Sequence, residues 1–186
     1  GITLWSPLRR WNAGPGTRVG VMGLGGLGHM GVKFAHALGA HVTVLSHSES
    51  KQADAIGLGA DSFIMSSDPE QMRAAKDSFD LILNTVSAEL DLNAYLRLLK
   101  LDGTLVVLGL PGKPLSINTG SLMDKRRSIA SSGIGGMAET QEMLDFCGDH
   151  GIVSDIEVIT RDRLNEAWDR VVASDVKYRF VIDIKG

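Results

Sequence analysis

Apolar runs and helical patterns alternate along most of the chain. The apolar runs are continuous, as expected for strands that are buried on both faces of a sheet. Five runs predict such strands, at residues 18–23, 41–45, 62–65, 79–83 and 104–108. Helical spacing and cap residues predict the helices between them, at residues 27–38, 46–58, 69–76 and 90–99. The helix at 46–58 is expected to open with a capping box formed by Ser46 and Glu49. This alternation predicts an α/β fold with a doubly wound, mostly parallel six-stranded (Rossmann) sheet.

The two ends of the chain extend this core. Leu4, Leu8 and Trp11 lie on one helical stripe, which a stop at residues 13–16 ends. Residues 128–134 predict the sixth strand, residues 138–147 a helix, and residues 155–160, 164–173 and 178–184 a strand-helix-strand extension. We therefore divide the chain into an N-terminal helix (1–16), a main domain (17–150) and a C-terminal segment (151–186).

Composition excludes several classes of protein. The chain has 186 residues and a formal net charge of −3, so it lacks the basic balance of a nucleic-acid-binding protein. No apolar run approaches the ~20 residues that cross a bilayer, so we expect no membrane partner. The single cysteine, Cys147, excludes a disulfide scaffold and fits a reducing, cytoplasmic compartment. The chain begins with Gly and not Met, as a processed chain or a piece of a longer protein would.

The 22 glycines include a motif that points to dinucleotide binding. Residues 23–28 (GLGGLG) match G-x-G-x-x-G between a predicted strand and a predicted helix. In such a turn Gly23 allows the bend, Gly25 lets the backbone approach a pyrophosphate, and Gly28 packs the helix on the strand. The pyrophosphate would lie against Gly26 and Leu27 at the helix N-terminus, where free N–H groups favour an anion.

The end of the second predicted strand distinguishes the two nicotinamide cofactors. NAD-binding domains carry Asp or Glu there, which binds the ribose 2′-OH. This chain has Ser46, His47 and Ser48, followed by Lys51. Hydroxyls, an imidazole and an ammonium suit a 2′-phosphate, so we predict NADP(H) as the cofactor. The missing acid also argues against a methyltransferase.

Catalytic groups are not evident in this sequence. No Tyr is followed by Lys four residues on, as in short-chain dehydrogenases. A catalytic zinc needs about three Cys, His or carboxylate ligands. His29 and His36 are seven residues apart, about 10 Å along a helix, which is too far for one metal ion. We expect both to be solvated or capping histidines, and we predict no catalytic and no metal-binding residue in this chain.

Several runs in order give the chain a family resemblance. Residues 1–8, 23–31, 98–103, 139–147 and 178–183 resemble the C-terminal part of zinc-dependent medium-chain alcohol dehydrogenases. The branch is that of cinnamyl alcohol dehydrogenases and NADPH-dependent aldehyde reductases, and the similarity covers essentially the whole chain. It implies that the catalytic zinc ligands and a structural zinc lobe precede Gly1.

The resemblance also implies contacts with the cofactor. Thr3 would approach the nicotinamide, and Ser132, Gly133 and Ile134 would meet its amide through backbone groups. Thr85 and Gly109 follow the fourth and fifth strands, at the ends where ligands bind. Arg179 matches an arginine that reaches the pyrophosphate, with a solvated strand arginine as the alternative. The family often has Ser in place of His47, so we expect this departure to make 2′-phosphate binding pH-sensitive. The family usually has a larger apolar residue in place of Gly133.

For the parent protein the resemblance implies hydride transfer between NADPH and an apolar or aromatic aldehyde, with zinc. A free-standing NADP-binding module that senses or sequesters cofactor is the alternative. We expect this chain alone to be inactive. The strand from Ser128 to Ile134 resembles the one that pairs across the family's dimer, so we expect a homodimer. In the family the last 35 or so residues return to the catalytic domain. We therefore expect the stripe of Leu4, Leu8 and Trp11 and the C-terminal strands to be exposed here.

Overall fold

Six parallel strands form the central sheet of the computed structural model, which describes residues 1–173 and 175–184. Their order is β3-β2-β1-β4-β5-β6, and every neighbouring pair is parallel. The strands are β1 (Arg18–Met22), β2 (His41–Ser46), β3 (Ser62–Met65), β4 (Phe79–Asn84), β5 (Leu99–Val107) and β6 (Ser128–Ser131). The chain thus winds outward from β1 in both directions, which confirms the doubly wound α/β fold.

Helices cover both faces of this sheet. They are α1 (Ile2–Arg10), α2 (Gly28–Ala37), α3 (Gln52–Gly57), α4 (Pro69–Ala74), α5 (Leu92–Leu96), α6 (Thr119–Met123) and α7 (Met137–His150). Successive strand residues point to opposite faces. Val19, Val21 and Leu83 accordingly belong to one buried cluster, and Met22 and Ile82 to the other. The continuous apolar runs of the sequence therefore reflect a sheet buried on both sides.

The N-terminal helix does not present its apolar stripe to solvent, so that expectation was wrong. Leu4, Trp5 and Leu8 on α1 are fully buried and belong to the cluster that includes α2 and α7. Leu4 packs directly on the second helix, because a Cβ built on Gly31 would lie 3.0 Å from Leu4 Cδ1. Trp5 completes the contact by stacking edge-on against Phe34, with ring centroids 5.5 Å apart. The stripe has the predicted period, but it packs on this chain's own core.

Several predicted boundaries differ from the observed ones by a few residues, and strand pairing explains two of them. The capping box at Ser46 is wrong, since Ser46 still pairs in β2 and its hydroxyl accepts from the Ser48 N–H, 3.2 Å away. The fifth strand begins at Leu99 and not at residue 104, because Leu99 pairs with Phe79 and shortens α5. The sixth strand ends at Ser131, three residues before Ile134.

The C-terminal segment forms a separate two-stranded parallel sheet. Strands β7 (Glu157–Thr160) and β8 (Phe180–Asp183) pair in register, and α8 (Leu164–Val172) connects them. This confirms the predicted strand-helix-strand extension. Val158 on β7 and Trp168 on α8 are 62% and 70% exposed. Exposure of apolar side chains is therefore confirmed here, in contrast to the N-terminal helix.

The burial of α1 leads to a stability prediction. Replacing Leu8 by Ala should lower the free energy of unfolding by about 2–5 kcal/mol, the usual cost of truncating a fully buried leucine. Urea denaturation followed by circular dichroism measures it. Leu110→Ala makes the same change at a site that is 88% exposed, and should cost less than about 0.5 kcal/mol. Equal effects of the two substitutions would contradict the packing of α1.

Candidate cofactor-binding site

A cleft of about 1290 Å³ opens where the strand order reverses, at the carboxyl ends of β1, β2 and β4. Ligands of open α/β sheets bind at this topological switch point. The volume exceeds the roughly 300–1,000 Å³ of pockets for drug-sized ligands, so an extended molecule fits. Ten residues singled out from the sequence line it: Gly23, Gly25, Gly26, Leu27, Ser46, His47, Ser48, Lys51, Thr85 and Arg179.

The glycine-rich turn forms the floor of this cleft, and its glycines have distinct reasons to be glycine. Gly23 has φ +84°, in the left-handed region. A Cβ on Gly28 would lie 2.1 Å from the Gly23 carbonyl oxygen, so no side chain fits there. A Cβ on Gly25 would meet nothing within 4 Å, since it would point into open space. Within the described residues, the backbone N–H groups of Gly25, Gly26 and Leu27 donate to no acceptor. The turn is therefore a cradle that leaves space and free donors for an anion.

The end of β2 brings a second set of polar side chains into the cleft. The Ser46 side chain is buried at the strand end, whereas His47 is exposed. The Ser48 and Ser50 hydroxyls are 2.8 Å apart and hydrogen-bonded. The Lys51 ammonium lies 6.0 Å from the centroid of the Tyr178 ring. This edge offers hydroxyls, an imidazole and a cation, as the sequence predicts.

Two acidic residues that line the cleft, Asp54 and Asp175, were missed, and Asp175 is paired with Arg170. Asp54, on α3 and three residues after Lys51, lines the cleft beside Tyr178. Its carboxylate accepts from the Lys177 ammonium at 2.7 Å. The ion pair balances its negative charge, so Asp54 does not make this edge acidic. The sequence did offer a signal for this residue: Asp54 follows Lys51 by three positions, a spacing that puts both side chains on one helical face.

The C-terminal segment forms the opposite wall. The Arg179 guanidinium donates to the Gly26 carbonyl oxygen at 2.9 Å, which places this cation on the glycine-rich turn. Arg179 is thus held at the cleft and is not simply a solvated strand arginine. Tyr178 beside it is buried, and burial together with the Asp54 and Asp155 charges raises the pKa of its hydroxyl to about 12. The neutral phenol is therefore the form present at neutral pH.

His29 is neither solvated nor a cap of the helix N–H groups, so the expectation for this residue was wrong. It is completely buried at the start of α2, with Nδ1 3.0 Å from the Gly25 carbonyl oxygen and Nε2 3.0 Å from Ser154 Oγ. Its ring stacks on Tyr178 at a centroid distance of 4.7 Å. Burial lowers the pKa of the imidazole, which keeps it neutral. His36, its neighbour two turns along, is exposed as expected.

Six predicted site residues do not line the cleft. Gly28 supports the turn from beneath, and a Cβ on Gly109 would lie 2.2 Å from the Val86 carbonyl oxygen. Thr3 is half-buried on α1. Ser132, Gly133 and Ile134 follow β6, and Ile134 is 75% exposed. The cofactor contacts of these residues stay predictions. Thr85, in contrast, is held at the cleft by its hydroxyl, which donates to the Met22 carbonyl oxygen at 2.7 Å.

The described residues contain neither a metal-binding cluster nor a membrane-spanning helix. Across residues 1–173 and 175–184, no group of three or more His, Cys, Asp and Glu side chains is arranged to hold a metal ion. Among the helices in these ranges, none combines the length and the apolar character needed to cross a bilayer.

Known proteins match this chain over most of its length. The family described as zinc-binding dehydrogenase matches residues 26–149. NADP-dependent alcohol dehydrogenase C of Mycobacterium bovis is 59% identical over 100% of this chain and 54% of its own length. The chain therefore spans about half the length of the curated relatives it matches.

Two solved structures extend the similarity to the fold. A cinnamyl alcohol dehydrogenase of Sorghum bicolor is 46% identical with a TM-score of 0.97, over 100% of this chain and 53% of that one. The CAD of Helicobacter pylori, complexed with NADP(H), is 38% identical with a TM-score of 0.89, over 100% and 53%. Family profile, sequence identity and fold agree with the resemblance seen in the sequence, and the chain belongs to the zinc-binding dehydrogenase family.

Proposed function

We propose that this chain is the NADP(H)-binding part of a zinc-type alcohol dehydrogenase or aldehyde reductase. The observation that carries the proposal is the open cradle at Gly25, with free amides on one side and Arg179 on the other. The relatives support it, since the Mycobacterium bovis protein is named as NADP-dependent and the Helicobacter pylori structure is complexed with NADP(H). We divide the chain into a connecting helix (1–16), the cofactor-binding domain (17–150) and a segment that joins the catalytic domain (151–186).

The glycine-rich turn would hold the pyrophosphate. The amides of Gly25, Gly26 and Leu27 donate to its oxygens, and the positive end of the α2 dipole adds to the attraction. Arg179 contributes a guanidinium, whose fork of donors suits phosphate oxygens. Because the turn is fixed by the packing of Gly28 on Gly23, the donors are in place before the ligand arrives.

The end of β2 would select NADP(H) over NAD(H). Ser46 and Ser48 hydroxyls and the Lys51 ammonium bind the 2′-phosphate, and His47 adds an imidazole beside them. Asp54 is paired with Lys177, so it does not repel the phosphate as a free carboxylate would. The adenosine end of the cofactor thus lies at this edge of the cleft.

The nicotinamide end would extend past Thr85 towards the carboxyl ends of β4 and β5. Thr3, Gly109 and the backbone of Ser132, Gly133 and Ile134 are the family positions proposed to contact it. When bound, NADPH supplies the hydride that reduces an aldehyde. The residues of this chain bind and orient that cofactor.

The parent protein would transfer hydride between NADPH and an aldehyde, with an apolar or aromatic substrate. The described residues hold no cluster that fits zinc, so we assign zinc to the full-length parent and derive no step through it here. We further propose a homodimer in which β6, an edge strand of the sheet, pairs with its symmetry mate. A cytoplasmic location, without nucleic-acid or membrane partners, stays a prediction.

The first test of this proposal is cofactor choice. NADPH should bind more tightly than NADH by roughly 1.5–3 kcal/mol, the value of a charge-assisted phosphate site. Lys51→Ala should weaken NADPH binding and leave NADH binding nearly unchanged, because only NADPH carries the 2′-phosphate. Fluorescence transfer from tryptophan to the nicotinamide measures both affinities. Lys76→Ala, which removes a lysine outside the cleft, serves as control. Equal affinities of the unaltered chain for the two cofactors would overturn the assignment of Ser46, Ser48 and Lys51.

The glycine-rich turn has its own test. Gly25→Val should abolish binding of both cofactors, because the new side chain fills the space of the pyrophosphate. The fold should survive, since nothing within 4 Å obstructs a Cβ at Gly25. Gly112→Val makes the same change at another open glycine, away from the cleft, and should leave binding intact. Normal NADPH binding by the Gly25 variant would show that the phosphate site lies elsewhere.

Activity and assembly are tested together on the unmodified chain. We expect no NADPH oxidation with cinnamaldehyde, even with added zinc, because no described group of residues can hold the metal. We expect sedimentation as a dimer or a larger species, because β6 and the exposed C-terminal strands offer surfaces for association. Absorbance of the nicotinamide and analytical ultracentrifugation are the measurements. Zinc-stimulated turnover would reveal a metal site in this chain, and a monomer would contradict pairing through β6.

A further inference from the structure

His29 connects the floor of the cofactor cleft to its C-terminal wall and does not itself line the cleft. It is the second residue of α2 and is completely buried. We propose that His29 is a positioning residue, which orients the Gly26 amide and the Arg179 segment for the pyrophosphate. This inference rests on the proposed binding of NADP(H).

The hydrogen bonds of His29 require one arrangement of its protons. The Gly25 carbonyl oxygen can only accept, so Nδ1 carries the proton and donates to it at 3.0 Å. Nε2 is then an acceptor, and it receives the Ser154 hydroxyl at 3.0 Å. Burial, which lowers the pKa of the imidazole, preserves this neutral form. Both ring nitrogens are therefore occupied, and the ring cannot turn without losing a bond.

The bond to Gly25 determines the direction of the next amide. The Gly25 carbonyl oxygen accepts from His29 twice, from the ring and from the backbone N–H at 3.1 Å. In a planar trans peptide the carbonyl and the following N–H point in opposite directions. Drawing the Gly25 oxygen towards α2 thus directs the Gly26 N–H the other way, towards the cleft that Gly26 lines.

The other side of the ring holds the segment that carries Arg179. His29 stacks on Tyr178 at an interplanar angle of 15°, and the next residue, Arg179, reaches back to the Gly26 carbonyl oxygen. Lys33, one turn further along α2, bonds the Val153 carbonyl oxygen at 2.9 Å and Asp155 at 2.6 Å. The buried ring of His29 therefore orients both the Gly26 N–H and the chain segment that bears the Arg179 guanidinium.

The experiment compares two ligands on the full 186-residue chain. NADPH contains the pyrophosphate, whereas adenosine 2′-monophosphate contacts only the edge at Ser46–Lys51. His29→Phe keeps a ring against Tyr178 and removes both hydrogen bonds. It should weaken NADPH binding about tenfold, and leave the affinity for adenosine 2′-monophosphate within about twofold. Calorimetry measures the first ligand and ligand-observed NMR the second.

A conservative variant separates positioning from packing. His29→Asn places an amide N–H near the position of Nδ1, and should recover most of the NADPH affinity by restoring the bond to Gly25. His36→Phe, an exposed histidine on the same helix, is the matched control and should change neither affinity. If His29→Phe does not fold, Ser154→Ala tests the proposal by removing only the bond to Nε2. It should weaken NADPH binding by less than tenfold and leave the affinity for adenosine 2′-monophosphate unchanged.

Four other results would overturn either the positioning role of His29 or the proposed function. Equal weakening of both ligands by His29→Phe, or no recovery in His29→Asn, would overturn the positioning role and leave only a packing role. Unchanged NADPH binding in both His29→Phe and Ser154→Ala would overturn it as well. Failure of the unaltered chain to bind NADPH would instead reject the proposed function, so the two failures are distinguishable.

Discussion

The structure depends on the close contact between the start of α2 and the end of β1. No side chain fits between Gly28 and the Gly23 carbonyl oxygen, so helix and strand meet at their backbones. This contact places the helix N-terminus at the point where the strand order reverses. It also places His29 directly beneath the turn. The free amides, the cleft and the docking of the C-terminal segment all follow from that one approach.

The two walls of the cleft are held in different ways. The wall at the end of β2 is part of the central sheet, where Ser46 still pairs with β3. The C-terminal wall is attached mainly through polar contacts, such as Arg179 with Gly26, Lys33 with Asp155 and Lys177 with Asp54. Its apolar side chains largely face outward, as Trp168 does. The segment is thus anchored by directional bonds and leaves an apolar surface for another partner.

The sequence predicts what depends on local pattern. The strands, the glycine-rich turn and the group at Ser46–Lys51 were found because period, glycine spacing and residue type are read within a few residues. The start of β5 was missed because pairing of Leu99 with Phe79 overrides the helical spacing around it. The capping box failed because Ser46 continues the ladder to β3. His29 was misjudged because its partner Ser154 is 125 residues away, and no local signal announces that contact. The stripe on α1 had the right period, but a stripe does not specify its partner.

The small apolar content of the C-terminal segment has a consequence for motion. Among its described residues, only Ile159, Ala167 and Tyr178 are buried apolar side chains. Regions with few buried contacts open at lower free energy than the core, often as cooperative units. We therefore expect the β7-α8-β8 unit to open at a lower free energy than the six-stranded sheet. Because this unit carries Arg179, we expect the two sides of the cleft to differ in stability, with a firm floor at the glycine-rich turn and a wall that opens more readily.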